Sequence, residues 1–425
     1  MKPLLDIISA HRAGVATGIF SVCSAHPLVI EAAFRHALDS GAPFALVEAT
    51  SNQVNQFGGY TGMTPPAFRN FVFAIADRVG LDRGRVLLGG DHLGPNTWQG
   101  LPAEEAMANA ETMIRDYVVA GFRKIHLDCS MSCACDPVPL TDAIVAERAA
   151  RLCAVAEAAA GAEPPVYVIG TEVPVPGGAH ETLDALAVTS PEAARETLSV
   201  HRRVFAAHGL DAAWQRVVAL VVQPGVEFDH DKVIRYDPAK ARDLSALAPT
   251  EPNIVFEAHS TDYQPASALQ SLVHDHFAIL KVGPGVTFAL REALWGLDAI
   301  EREWLGAAAS GFRERTLAVM RADPTYWRGY YHYSGAALEI ALQYSLSDRI
   351  RYYWPVAAVE AARTVMFDAL TANPPPLPLV SQYLPVAFAR LREAGHQMTP
   401  HALVMAHIGA VLDDYHAACS PPKGA

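Results

Sequence analysis

The sequence predicts an α/β fold: a closed (β/α)8 TIM barrel extended by a helical C-terminal region. Three observations predict it. Short apolar strands alternate with amphipathic helices, and eight such units precede residue 305. The strands end on polar or ionisable residues, as a barrel requires of the face that carries its chemistry. After residue 305 no strand pattern is evident and helical segments take over. A doubly wound open sheet is the alternative arrangement of the same units, and the count of eight favours the barrel. The expected organisation is a barrel over 1–304 and a helical region over 305–425 packed on it.

Composition agrees with a globular protein: 51% of the 425 residues are hydrophobic and 18% charged. The net charge of -12 argues against nucleic acid as partner, but leaves room for a phosphorylated metabolite, which needs only a few local cations. No apolar run approaches the ~18 residues of a membrane span, and the N-terminus lacks the apolar core of a signal peptide. Six cysteines are too few for a disulfide scaffold in a chain this long. Together these features predict a cytoplasmic protein with reduced thiols.

Strand one is expected over 16–23, followed by a helix over 27–39 that Gly41 ends. Strand two covers 44–50. The polar loop after it, 51–62, is long for a βα turn, which marks it as functional. Thr64 and Pro65 open the next helix. Strand three, from Arg85, ends in Asp91 and His92 before the breakers Gly94 and Pro95. A helix over 103–120 leads to strand four, 124–129. An Ala-rich helix occupies 140–160, strand five 166–172 and a Pro/Gly turn 173–178. A helix over 191–208, strand six over 217–224, a helix opened by Asp237 and Pro238, strand seven over 253–260 and strand eight over 277–285 complete the barrel. Beyond it 335–344, 356–372 and 384–394 read as helices, with a break at 373–378.

The strand ends bring Cys23, Glu48, Asp91, His92, Asp128, Cys129, Glu172, Gln223, His259 and Lys281 to one face. Two His and a Glu from different strands make an open N/O site for a divalent metal such as Zn²⁺: His92, His259 and Glu172. Gln223 offers an amide oxygen to the metal, to substrate or to a helix cap. A single strand-end His is more often structural, and His126, inside its strand, has burial and hydrogen bonding as its default. Cys129-x-x-x-Cys133-x-Cys135 matches no zinc ribbon or common iron–sulfur spacing and reads as a compact loop. Lys281 is a cation for substrate or carboxylate rather than a Schiff-base amine. Gly283 and Gly285, before a helix, either hold a phosphate with their N–H groups or form a plain turn. Arg349 and Arg351 either clamp a phosphate or form surface ion pairs. The dinucleotide and P-loop glycine signatures are absent, so nicotinamide and P-loop chemistry lack their usual signals.

Seven motifs together resemble the GatZ/KbaZ family over nearly the whole chain. They are Gly-Ile-Phe-Ser-Val-Cys-Ser-Ala-His-Pro27, Glu48-Ala-Thr-Ser-Asn-Gln-Val-Asn-Gln56, Gly-Gly-Asp-His-Leu-Gly-Pro-Asn96, His-Leu-Asp-Cys-Ser-Met131, Gly-Thr-Glu-Val-Pro174, Glu-Ala-His-Ser-Thr-Asp-Tyr-Gln264 and Ser-Asp-Arg-Ile-Arg-Tyr-Tyr-Trp354. That family is described as the non-catalytic subunit of class II tagatose-1,6-bisphosphate aldolase, and some members look like 4-epimerases interconverting tagatose 6-phosphate and fructose 6-phosphate. A kinase label also attached to the family finds no support in these residues. The similarity to class II aldolases, which are zinc barrels, implies that Asp91 is the proton-transfer carboxylate and that His92 and His259 are ligands. Their third ligand is a His, whereas strand six here ends in Gln223, so Gln223 or Glu172 takes that role. Glu48 and Asp128 are further acid/base candidates. The implied substrate is a phosphorylated ketohexose. The implied partners are a class II aldolase catalytic subunit or a second copy of the chain.

Overall fold

The computed structural model describes residues 1–170 and 186–421. Glu172 and the turn at 173–178 lie outside the described residues. Eight strands fall where the apolar stretches predict them: β1 Ile19–Val22, β2 Ala45–Thr50, β3 Val86–Leu93, β4 Lys124–Leu127, β5 Val166–Ile169, β6 Val217–Val222, β7 Val255–Ala258 and β8 Phe277–Val282. All neighbours are parallel, and the order β1-β8-β7-β6-β5-β4-β3-β2 closes on itself. Closure excludes the open doubly wound sheet. A two-stranded antiparallel ribbon, Glu227–Phe228 with Val233–Ile234, follows β6 at the mouth of the barrel.

Strand one is shorter than its apolar stretch. The Gly18 N–H and the Thr17 hydroxyl both donate to the Cys419 carbonyl, each at 2.9 Å, so these groups bond the last helix and not the sheet. A helix that the sequence analysis does not anticipate, Lys2–Arg12, precedes β1. Its Leu4 and Ile8 join Ile19, Leu46, Leu87, Val166 and Ile279 in an apolar cluster separate from the main core. It thereby covers apolar residues of five strands that would otherwise meet water.

The last helix, Pro400–Cys419, was also unanticipated. Apolar residues run around most of its circumference, so it lacks the one-sided stripe by which a surface helix is recognised. It packs against the helices Pro27–Asp39 and Ala266–His274, which follow β1 and β7, and touches β1. In a simple (β/α)8 ring, the helix directly after β8 fills that place. Here that helix, Pro284–Leu305, packs against Pro400–Cys419, and the chain end closes the ring. Tyr415 adds a buried hydrogen bond, its hydroxyl donating to the Thr261 carbonyl at 2.8 Å. The helices between, including Gly335–Tyr344, Ala357–Ala372 and Pro385–Glu393, match the expected segments, and Leu377–Tyr383 adds a short helix after Asn373. Trp295, Phe312, Trp354, Leu384 and Leu412 belong to the same core as the barrel's outer faces. Among the described residues no helix is long and apolar enough to cross a membrane.

Leu412 is fully buried in the closing helix. Leu412→Ala is expected to lower stability by about 3 kcal/mol in urea denaturation, as for a barrel-core leucine. A loss below about 1 kcal/mol would mean that the closing helix is a loose appendage.

Candidate metal and active site

Adjacent residues on a strand point to opposite faces, so Asp91 and His92 cannot both enter the barrel from a regular β3. The backbone resolves this at His92, which takes a left-handed conformation with φ 48°. The register between β3 and β4 shifts between Gly90 and Leu93. The irregularity turns both side chains into the same pocket, at the cost of local strain. Gly94 allows the chain to pass beside β4, because a Cβ there would overlap the Asp128 carbonyl oxygen.

Asp128, after β4, orients the His92 ring. Its Oδ2 stands 2.6 Å from His92 Nδ1, while Ser130 holds its Oδ1 by N–H and hydroxyl at 3.1 and 2.6 Å. Glu257 does the same for His259, with Oε1 2.9 Å from Nε2. An ionised carboxylate can only accept, so both of these ring nitrogens carry hydrogen. The remaining nitrogens, His92 Nε2 and His259 Nδ1, face one another at 3.1 Å. Two converging lone pairs repel unless a proton or a cation lies between them. Their separation approaches the roughly 3.3 Å between two imidazole nitrogens on one tetrahedral zinc. Ligand atoms of Asp91, His92, His126 and His259 all lie within 4.8 Å of one another. Carboxylates that fix the ligating rings are the usual support of a metal site. The surrounding charge is negative: burial opposes protonation of His92, yet Asp91 and Asp128 outweigh it and hold the imidazole at about 9. These residues therefore fit a divalent cation.

His126 is buried as expected, and its Nδ1 accepts the His92 N–H at 3.2 Å. It belongs to the cluster nonetheless, with Asp91 Oδ1 3.1 Å away. Asp91 pays for burial, but the three imidazoles hold its carboxyl well below the usual range.

Beside the cluster lies a closed ring of buried charges. Lys124 Nζ is 2.7 Å from both Glu48 Oε1 and Glu257 Oε2, with all three side chains fully buried. Lys281 completes the ring, pairing with Glu48 Oε2 and lying 3.4 Å from Glu257 Oε1. It also stands 3.0 Å from Asp91 Oδ1. Burial lowers the Lys281 ammonium to about 8. Gly89 leaves the space that Glu48 occupies, since a Cβ there would meet the Glu48 carboxylate.

A pocket of about 850 Å³, counting its open mouth, is lined by Asp91, His92, His259, Lys281, Arg351, Glu227 and residues of the loop after β2, among them Asn52, Gln53 and Tyr60. The long polar loop thus does contribute to the pocket. Other expectations need correction. Gln223 neither joins the cluster nor caps a helix: its amide oxygen accepts the Gly225 and Val226 N–H groups at 2.9 and 3.0 Å and so closes its own loop. Gly283 and Gly285 do not offer free N–H groups to a phosphate, because both donate to Asp262 Oδ1 at 2.9 and 2.7 Å. Burial pushes that Asp262 carboxyl up to about 6. Glu48 and Asp128 are committed to Lys124, Lys281 and His92, and neither lines the pocket. Arg349 is buried rather than on the surface, and its guanidinium lies over the Tyr330 and Tyr352 rings. Arg351 does line the pocket, donating to the Asp348 carbonyl and the Tyr352 hydroxyl at 3.1 Å each.

A family model described as D-tagatose-1,6-bisphosphate aldolase subunit GatZ/KbaZ-like matches residues 4–420. The chain belongs to the GatZ/KbaZ-like family. A crystal structure of a probable tagatose 6 phosphate kinase from Sinorhizobium meliloti 1021 is 53% identical, with a TM-score of 0.89, over 95% of this chain and 100% of that one. The native crystal structure of the fructuronate-tagaturonate epimerase UxaE from Cohnella laeviribosi shares the fold at 13% identity and a TM-score of 0.50, over 95% of this chain and 82% of that one.

In this GatZ/KbaZ-like chain, Lys124, Glu257, Glu227 and Asp262 are the site residues that sequence reasoning missed. A signal for two of them was present. Lys124, His126 and Asp128 alternate along β4 and beyond, as do Glu257 and His259, so each set shares one face. Lys124→Met leaves Glu48 and Glu257 short of a counter-charge. It is expected to cost about 3–5 kcal/mol in chemical denaturation, and a loss within about 0.5 kcal/mol would show that the ring is not structural.

Proposed function

We propose that this protein is a metal-dependent 4-epimerase of ketohexose 6-phosphates, interconverting D-tagatose 6-phosphate and D-fructose 6-phosphate by C3–C4 cleavage and re-formation. The observation that carries the reading is the pair of carboxylate-oriented imidazoles converging beside Asp91 and Lys281 at the pocket. Direct deprotonation at C4 is a poor route in a 2-ketose, because C4 is not adjacent to the carbonyl. Cleavage avoids the difficulty. Asp91, kept ionised by the imidazoles, takes the proton of the C4 hydroxyl. The C3–C4 bonding pair then moves toward the C2 carbonyl and C4 becomes an aldehyde. If the aldehyde turns before C3 attacks it again, the product is the C4 epimer. His92 and His259, with Asp91 beside them, would hold a divalent cation, Zn²⁺ by expectation, which supplies Lewis-acid polarisation of the ketose carbonyl. Lys281 holds positive charge against Asp91 and so favours its ionised form. Arg351 supplies a cation for the phosphate end of the substrate.

A second reading has support in the family description, which names an aldolase subunit. There the chain stabilises a class II aldolase catalytic subunit and has no turnover of its own.

The test is purified protein, alone, with tagatose 6-phosphate. Fructose 6-phosphate should appear with divalent metal and not after chelation. Asp91→Asn should lower kcat by about 10²–10⁴-fold, and His92→Ala and His259→Ala should lower bound metal in elemental analysis. No conversion by folded, metal-bearing protein would sink the epimerase reading, and co-purification with a second barrel polypeptide would then favour the subunit.

A further inference from the structure

Inversion at C4 imposes a geometric demand that one carboxylate does not meet. The O4 proton leaves on one side of the sugar. After the aldehyde turns, O4 lies on the other side, where it must regain a proton. Asp91 serves the first side only. Two further carboxyl groups line the pocket: Asp262, whose Oδ1 is taken by the Gly283 and Gly285 N–H groups, and Glu227 in the ribbon after β6, which the cleavage step does not use.

Four features of Glu227 bear on this. It lines the pocket although it is only 1% exposed. Its Oε1 accepts the Phe228 N–H at 2.9 Å, while its buried Oε2 makes no hydrogen bond among the described residues. An ionised carboxylate in that position would go largely uncompensated, so the environment favours the protonated acid. The ribbon pairing of Glu227 with Ile234 fixes its backbone. The barrel order also puts β3, which carries Asp91, and β6, which leads to Glu227, three strands apart in a ring of eight. The two carboxyl groups therefore reach the pocket from well-separated parts of its wall.

Resting on the epimerase reading, we propose that Glu227 is a catalytic acid that protonates O4 on the side opposite Asp91. In the forward direction the O4 proton passes to Asp91 and the C3–C4 pair moves into the C2 carbonyl, giving an enediolate and an aldehyde. The aldehyde turns, C3 attacks its other face, and the new C4 alkoxide takes the Glu227 proton. Asp91 ends protonated and Glu227 ionised, the state required for the reverse reaction. Water at the open mouth returns the proton before another forward turnover. No atom is oxidised or reduced. The environment suits this division: burial pushes the Glu227 carboxyl up to about 7, with Asp262 and Asp229 adding to the effect and the Phe228 N–H opposing it, as does the nearby Ser260 hydroxyl, which stops short of a hydrogen bond. A pair of carboxyl groups whose environments push them apart is a common basis for separate acid and base roles.

The test uses the full-length, metal-loaded protein and its Glu227→Gln and Glu227→Asp variants, with fold and metal content checked by thermal denaturation and elemental analysis. Two rates are followed from tagatose 6-phosphate. One is formation of fructose 6-phosphate. The other is leakage of glyceraldehyde 3-phosphate, which reports C3–C4 cleavage. Glu227→Gln should lower epimerisation about 100-fold or more while cleavage stays within about threefold, and Glu227→Asp should recover part of the loss. If Glu227→Gln does not fold, Glu227→Asp carries the test through a selective fall in epimerisation against cleavage. Wild-type epimerisation in Glu227→Gln, or an equal fall in both rates that Glu227→Asp does not relieve, overturns the role of Glu227 alone. A folded, metal-bearing wild type that epimerises neither ketohexose 6-phosphate overturns the epimerase reading and this role with it.

Discussion

The ring Glu48–Lys124–Glu257–Lys281 is the constraint on which the site depends. Four charges in a nearly dry interior are tolerable only because each cation lies between two anions and each anion between two cations. The ring ties β2, β4, β7 and β8 to one another through their inner faces. It also sets the chemistry beside it. Glu257 spends one oxygen on Lys124 and the other on His259, so the imidazole's orientation is fixed by the same carboxylate that closes the ring. Lys281 reaches from the ring to Asp91 and gives it a neighbouring positive charge.

Two local irregularities make the ring useful. A regular β3 would send His92 to the outer face, against the helices. Its left-handed turn, with the glycine that follows at Gly94, brings it beside Asp91. Strain of this kind persists only where the surroundings hold it, and the Asp128 hydrogen bond and the His126 contact to the His92 backbone do so here. The second irregularity is in the helical ring. Cys419 bonds the backbone before β1, and Tyr415 bonds Thr261 just past β7. The last helix thus joins the two sides of the position that the helix after β8 would ordinarily fill.

The mouth of the pocket departs from the simple barrel in its anion chemistry. The Gly283 and Gly285 N–H groups at the start of the helix after β8 are already satisfied by Asp262, a carboxylate of the chain itself. A phosphorylated substrate therefore needs its cation elsewhere, and Arg351, held by the Asp348 carbonyl and Tyr352, faces the same pocket. Tyr60 links this corner to the loop after β2 through its edge-on contact with Tyr352, ring centroids 4.7 Å apart. The helical region after the barrel thus supplies part of the pocket wall as well as part of the core.

The sequence by itself determined the strands, the barrel and the strand-end residues Asp91, His92 and His259. Each of these is written locally, in apolar runs, breakers and residue type. It also carried, unread, the alternation that puts Lys124 with His126 and Glu257 with His259. Only the tertiary structure decided which group each polar atom would bond. Gln223 turned to its own loop, Asp262 took the amides of Gly283 and Gly285, and Arg349 went under tyrosines, because those partners are distant in the chain or compete at equal chemical cost. The closing helix was hidden for a related reason. A segment apolar around most of its circumference has no periodicity to reveal which neighbours will cover it, and here the neighbours come from opposite ends of the barrel sequence.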